Sequence, residues 1–272
     1  MDFALSTLMF LPKDFNTSTD FAPEILEKSI DFAGELGMKL EVFPLWHLPS
    51  FSKFIDNRFA DLRQITASLH EPYHFCDHSF RRGTKEYEKT VELCHKTFET
   101  AARLGAKSIV FHHNNRHVSS AEREEMIQCS AENLHEMNTF AAEYNVACLV
   151  ENVGIPLLQN ALFDEDEFIS LFDTIPNDCL IDIGHTHCNS WDLERVISTL
   201  KHKILAYHVH DNDKSSDQHR MLGRGTIDIE QFREFYYAHT PKAQIILEYA
   251  EGTKATILDI KEEMKKVRGD FA

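Results

Sequence analysis

Imidazoles and carboxylates that could share a metal ion recur along this chain at the ends of short apolar runs. His70 ends Leu69-His70, His112 and His113 follow Val110-Phe111, and Glu151 follows Leu149-Val150. Asp182 follows Leu180-Ile181, with His185 three residues on. His208 and His210 stand in Tyr207-His208-Val209-His210, Asp217 and His219 in the polar stretch beyond, and Glu248 after Ile246-Leu247. Taken singly, such a residue is most often a solvated strand end or a hydrogen-bonded loop residue. A whole series of them is harder to explain that way. Carboxylates gathered at one place repel unless neutralised, and a divalent cation with nitrogen and oxygen ligands neutralises them. His74, His78, His117, His187 and His202 fall outside the series and read as ordinary loop or packing residues.

The elements that must position these groups alternate in type. Strands are expected over 4–11, 39–44, 65–70, 108–113, 146–152, 179–184, 204–209 and 244–249. Helical spacing is expected over 23–36, 51–64, 85–104, 165–172, 192–200, 229–238 and 254–267, and in a helix opening at Ser119-Ser120 ahead of Glu122. Eight such units in 272 residues average about 34 residues each, the rhythm of an α/β (β/α)8 TIM barrel, with no linker to divide 1–272 into more than a single domain. A doubly wound open sheet would normally carry a glycine-rich turn after its first strand, and here that turn reads Leu11-Pro12-Lys13-Asp14. In a barrel the C-terminal strand ends form the active face. From the third strand to the eighth, each strand brings a metal-capable residue to that rim.

Composition narrows the function classes. Hydrophobic residues make up 43% and charged residues 26%, enough for a full core and against wholesale disorder. Lys and Arg total 28 against 44 Asp and Glu, a net charge of −16, which argues against a nucleic-acid partner held by phosphate neutralisation. The six cysteines form no C-x-x-C pair and read as buried or idle thiols in a reducing cytoplasm. No secretory leader and no apolar stretch long enough for a membrane span is legible. G-x-S-x-G, Walker A and H-E-x-x-H motifs are all missing.

From the third strand onward the chain resembles the xylose-isomerase-like TIM barrels, which include sugar isomerases, epimerases and endonuclease IV enzymes. The segments that carry the resemblance are Val-Glu-Asn-Val-Gly at 150–154, Ile-Asp-Ile-Gly-His at 181–185 and His-Val-His-Asp at 208–211. Asp-Gln-His-Arg-Met-Leu-Gly-Arg-Gly at 217–225 and Leu-Glu at 247–248 add to it. The resemblance implies one of two sites. An epimerase would hold one ion, of Mn, Zn, Co or Mg, by Glu151, Asp182, His208 and Glu248. Glu151 and Glu248 would also exchange the substrate proton as catalytic base and acid. An endonuclease IV-like hydrolase would hold two to three Zn by those four together with His70, His112, His185, Asp217 and His219, and Tyr73 falls at that family's active-site tyrosine.

Two departures favour the isomerase or epimerase acting on a sugar or sugar phosphate. After the fourth strand His113-Asn114-Asn115-Arg116 replaces the Pro-Gly-Ser turn of the nucleases, and after the second strand Leu45-Trp46-His47-Leu48-Pro49-Ser50 replaces their DNA-contacting loop. That small apolar loop is expected to cover a small ligand or a subunit interface. In the epimerase reading His185 and His210 would bind substrate hydroxyls, and Lys214 or Arg224 a terminal phosphate. A zinc phosphodiesterase is the alternative, and a non-catalytic sugar- or metal-binding barrel the third reading. Homo-oligomerisation stays open, as does whether Tyr236 and Tyr237 serve the core or an interface.

Overall fold

The computed structural model describes residues 2–15, 22, 24–73 and 75–269. Eight parallel strands close into a barrel in sequence order: β1 (Phe3–Ser6), β2 (Lys39–Val42), β3 (Thr66–Leu69), β4 (Ser108–Phe111), β5 (Ala147–Glu151), β6 (Cys179–Asp182), β7 (Ile204–Val209) and β8 (Gln244–Leu247). Around them run α1 (Glu24–Leu36), α2 (Pro49–Asn57), α3 (Phe59–Ile65), α4 (Lys85–Leu104) and α5 (Arg123–Tyr144). They are followed by α6 (Glu165–Leu171), α7 (Ile183–Asn189), α8 (Leu193–Leu200), α9 (Ile229–His239) and α10 (Ile257–Arg268). No helix among the described residues is long and apolar enough to cross a membrane.

Where local signals were strong the expected bounds hold. Helix α4 spans 85–104 because Thr84 caps its start, accepting from the Tyr87 N–H, and Gly105 takes the left-handed conformation (φ 77°) that ends it. Elsewhere the fold differs for identifiable reasons. The first strand stops at Ser6, whose hydroxyl caps a 3-10 turn over Thr7–Phe10. The helix expected over 51–64 starts earlier, with Pro49 at its first turn, and breaks at Arg58 into α2 and α3. The sixth strand ends at Asp182 rather than 184, and α7 follows at once. Helix α10 starts at 257, not 254, because Thr256 and Asp259 form a reciprocal capping box. Position 23, the expected start of the first helix, and His74 lie outside the described residues.

Two layers of side chains fill the barrel. Ala4, Val110, Leu149, Leu180, Ala206 and Ile246 form an apolar plug. Strand residues two apart share a face, so His112, Glu151, Asp182, His208 and Glu248 stand one layer above Val110, Leu149, Leu180, Ala206 and Ile246 respectively. Burial of each Val, Leu or Ile of the plug contributes about 1.5–3 kcal/mol, which seats the polar layer on a dry floor. Tyr236 belongs to the core, its hydroxyl donating to the Ala243 carbonyl at 2.8 Å. Tyr237 is half exposed and donates to the Arg268 carbonyl.

Candidate metal centre

The polar layer converges on His208. Its Nδ1 lies 3.2 Å from Glu248 Oε2, 3.5 Å from Glu151 Oε1 and 3.9 Å from Asp182 Oδ2, yet makes no hydrogen bond. Its Nε2 lies 2.9 Å from Glu41 Oε1, while the other Glu41 oxygen accepts from the Ser68 hydroxyl at 2.9 Å. Glu41 fixes the ring and leaves Nδ1 aimed at three carboxylates. A fully buried nitrogen without a partner, facing oxygens that repel one another, fits a divalent cation.

Two triads flank this centre. On one side His112 Nε2 is 2.9 Å from Glu151 Oε2, and the His70 ring stands 4.7 Å from the His112 ring. On the other, Asp217 Oδ2 lies 3.1 Å from His185 Nε2 and 2.7 Å from His219 Nε2. The donor atoms of His70, His112 and Glu151 all lie within 4.8 Å of one another, and so do those of His185, Asp217 and His219. Three of these histidines are pinned alike. The Nδ1 of His70 donates to the Glu71 carbonyl at 2.8 Å, that of His112 to the Asn115 amide oxygen at 3.0 Å, and that of His219 to the Glu248 carbonyl at 3.0 Å. Such oxygens only accept, so each Nδ1 carries its proton and each Nε2 is the available ligand atom.

The electrostatics are those of a site that trades protons for cations. Burial acts to lower the His112 imidazole, but the Glu151 carboxylate outweighs it and lifts the group to about 9. His219 is likewise lifted to about 10, burial being outweighed by Asp217. Burial works to raise the Glu151 carboxyl, yet His112 and His208 hold it well below the usual carboxylate range. Asp182 is held at about 2 against its burial by His185 and His210. His70 is lowered by burial and by the charge of His112, which keeps its Nε2 lone pair free.

Local sequence explains how these groups are held. Asp182 ends β6 and caps α7, accepting from the His185 N–H at 2.7 Å, so one residue starts the helix and faces the centre. Gly184 in that turn is obligatory: a Cβ there would lie 2.0 Å from His210 Cε1. The segment carrying Asp217 and His219 hangs on Asp211, which accepts from the backbone N–H groups of Gly223, Gly225 and Ile227 at 2.8–3.1 Å. Glu41 and Asp211 were missed by sequence reasoning. Glu41 sits inside a strand rather than at its end, and Asp211 stood in a quoted motif without an assigned role.

A cavity of about 290 Å³ opens above the centre, lined by both triads, Glu248 and Tyr73, with Leu8, Phe15, Phe43 and Ile155 on its apolar side. Asp182 and His208 lie fully buried beneath. Three expected substrate contacts are placed otherwise. His210 is buried, with Nε2 3.0 Å from Asp182 Oδ2 and its ring stacked 4.0 Å from that of His219, so it braces the ligands from behind. Lys214 and Arg224 are exposed and do not line the cavity. No Lys or Arg does among the described residues; Lys85, Lys89 and Arg116 line a neighbouring cavity that shares Tyr73 with this one. Residues 45–50 after β2 also miss the cavity. Leu45 and Leu48 are buried, and the Trp46 Nε1–H donates to Thr97 Oγ1 of α4 at 2.8 Å, because the apolar side chains complete the core.

With the geometry in hand, comparisons with known proteins agree on the architecture. A family model described as xylose isomerase-like TIM barrel matches residues 56–268. An uncharacterised protein of Methanocaldococcus jannaschii is 25% identical over 237 residues, covering 86% of this chain and 87% of that one. Among solved structures, the IolI protein with a bound zinc atom aligns with a TM-score of 0.78 at 17% identity, over 100% of this chain and 99% of that one. A D-tagatose 3-epimerase-like protein aligns at 0.74 and 19% identity over the whole of both chains. A Thermus thermophilus protein soaked with zinc chloride aligns at 0.68 and 20% identity, again over both chains entirely.

Proposed function

The chain belongs to the xylose isomerase-like TIM-barrel family, and from that premise we propose that it is a divalent-metal-dependent sugar isomerase or epimerase working by proton transfer next to a carbonyl. The observation that carries this reading is the convergence of Glu151 and Glu248 on His208 Nδ1 under a cavity of small-molecule size. Glu151, Asp182, His208 and Glu248 would hold the ion. Bound there, a dication supplies Lewis acidity to a carbonyl and its neighbouring hydroxyl.

The chain's own residues do the rest. Glu151, ionised at neutral pH, takes the proton from the carbon beside the carbonyl, and Glu248 returns one at the other face. His185 and Tyr73, both on the cavity wall, orient hydroxyls. The apolar side formed by Leu8, Phe15 and Phe43 excludes water from the carbanion-like state. A wall free of Lys and Arg suits a neutral sugar or cyclic polyol better than one with a terminal phosphate.

The test is deuterium uptake at carbon when the metal-loaded protein meets a panel of neutral ketoses in heavy water. Uptake that is lost in Glu151→Gln and in Glu248→Gln is expected; uptake that persists in either variant overturns the assignment of base and acid.

One observation favours a second reading. The pinned tautomers of His70, His112 and His219 are what two further ions would require, and a two- to three-zinc site is built for phosphoester hydrolysis. In that reading His70, His112 and Glu151 would hold one of the further ions and His185, Asp217 and His219 the other, and these ions would supply Lewis acidity to a phosphoester. Metal content at the mouth separates the two: two to three zincs held by nitrogen and oxygen donors, with phosphodiesterase turnover, support the hydrolase, and one such ion per chain the isomerase.

A further inference from the structure

A second group of ligand-type side chains lies behind the barrel wall, away from the cavity. Glu71, Cys76, His78 and Cys94 are all buried, and one donor atom from each lies within 4.8 Å of the others. The Sγ atoms of Cys76 and Cys94 are 3.5 Å apart, and His78 Nε2 stands 3.8 Å from the first and 3.7 Å from the second. His78 Nε2 is also 3.2 Å from Glu71 Oε2.

These separations discriminate between explanations. A tetrahedral zinc with ordinary bond lengths spaces its donors at about 3.8 Å for S···S, about 3.5 Å for S···N and about 3.3 Å for N···O. The S···S, S···N and N···O separations here match those values within a few tenths of an ångström, and the Glu71 oxygen lies within 4.8 Å of both sulfurs. A disulfide would need the sulfurs at about 2.05 Å, well inside their separation. An ordinary polar core does not gather two thiols, an imidazole and a carboxylate around one point, since they would have only each other as partners. The void bordering Glu71, His78 and Cys94 is about 10 Å³, room for a single water at most.

The backbone holds the donors in place from three sides. The Asp77 N–H donates to Thr90 of α4, and Asp77 Oδ2 accepts from the N–H groups of Asn115 and Arg116 after β4. From α5, Asn133 donates to the carbonyls of His78 and Phe80. Cys94 comes from α4 itself. Donors from the loop after β3 and from the helix that follows it would thus be stapled together by one ion.

We infer that Glu71, Cys76, His78 and Cys94 form a closed, four-ligand structural metal site of zinc type, separate from the mouth centre. Two thiolates with an imidazole select a borderline-soft ion, and four protein ligands leave no position for substrate. Glu71 joins the two sites, for its other oxygen lies 3.5 Å from Asn115 Nδ2 and 3.9 Å from His112 Nδ1. The ion therefore also fixes a carboxylate beside a mouth histidine. The inference stands whichever reaction the mouth performs.

Cobalt(II) titration of the whole, reduced protein tests it, because the mouth offers only nitrogen and oxygen donors. The expected result is a thiolate-to-cobalt charge-transfer band that saturates at one equivalent per chain, is displaced by zinc, and is lost in both Cys76→Ser and Cys94→Ser. Reduced wild-type protein that takes up cobalt without that band, or a band surviving in both serine variants, overturns the site. Should the serine variants fail to fold, wild-type protein still decides. Blocking its thiols should release one zinc equivalent per chain, and complete blocking without zinc release overturns the proposal.

Discussion

His70 and Glu71 are sequence neighbours that point to opposite sides of the barrel wall, and the two clusters they serve are built on opposite plans. At the mouth, carboxylates and imidazoles from many strands share a floor beneath a cavity of about 290 Å³. Behind the wall, one loop and one helix supply four buried donors, three of which border a void of about 10 Å³. The mouth is nitrogen and oxygen throughout, suited to an ion that exchanges ligands during turnover; the other is half sulfur and buried. Two consecutive residues just past the end of β3 thus serve two groupings of different make-up. The histidines share a feature, since Nδ1 is without a hydrogen bond in His185 and His208 at the mouth and in His78 behind the wall, whereas His70 and His219 have it pinned by carbonyls.

The contrast can be broken most severely at Glu151. Glu151→Gln removes a ligand and the base together, so deuterium exchange should fall by at least about 10⁴-fold, beyond the usual general-base contribution. The same variant should keep its cobalt–thiolate band. Exchange within tenfold of wild type would mean that the mouth is not the reaction centre. Glu41→Gln is a milder probe, touching the back of His208 and the Ser68 hydroxyl and none of the carboxylates around Nδ1. A loss of about 10–100-fold in metal affinity or rate is expected from an outer-shell partner, measured by competition with a chelating dye. Unchanged affinity would remove Glu41 from the site.

The pH dependence of stability sharpens the same contrast. His112 and His219 have folded values of about 9 and about 10 against 6.5 unfolded. Their stabilisation of metal-free protein is therefore fully present below 6.5 and lost as pH rises through 9 to 10. Urea melts of chelator-treated protein should show that decline, and metal should flatten it, since the ion replaces the protons. At the acid end His113 acts with opposite sign. Burial and the charges of His78 and His112 lower it to about 3, so its contribution disappears as pH falls from 6.5 towards 3. The smallest effects belong to Lys214→Ala and Arg224→Ala, which should change stability by no more than about 0.5 kcal/mol and exchange rate by less than about twofold. A tenfold rise in KM for either would return that cation to the substrate site.

The barrel was legible in the sequence because strand ends and helix caps are local signals: Thr84 and Gly105 bound α4 at the residues expected. The gathering of the nine candidate residues at the mouth was legible for a related reason, each standing at or near a strand end or in the turn beyond it. Groups that lacked such a marker were not. Glu41 lies mid-strand next to two apolar residues, and only the closure of the barrel brings it to His208. The Glu71–Cys94 grouping depends on how a loop folds back over α4, and neither periodicity nor spacing encodes that meeting. The loop at 45–50 looked like a ligand cover by composition, but apolar composition serves a core equally well, and Trp46 found its partner on α4. Lys214 and Arg224 were assigned from charge alone, and charge does not say which way a loop side chain turns.

The anchoring of the segment from Asp211 to Ile227 has a kinetic consequence. Three backbone N–H groups tie it to the Asp211 carboxylate and a backbone bridge pairs Asp211 with Arg220, while its outer residues are exposed. Gly225 packs so closely that a Cβ would lie 2.3 Å from Asp211 Oδ1, so the tie tolerates no bulk. Release of Asp211 together with the Asp217–His185 and His219–Glu248 contacts would free Asp217 and His219 without disturbing the plug below, which would make the segment a unit of local opening. Any ion that these two residues hold would then leave on the timescale of that opening, long before the barrel itself unfolds, and the occupant of this corner of the mouth could turn over many times within the lifetime of one folded molecule.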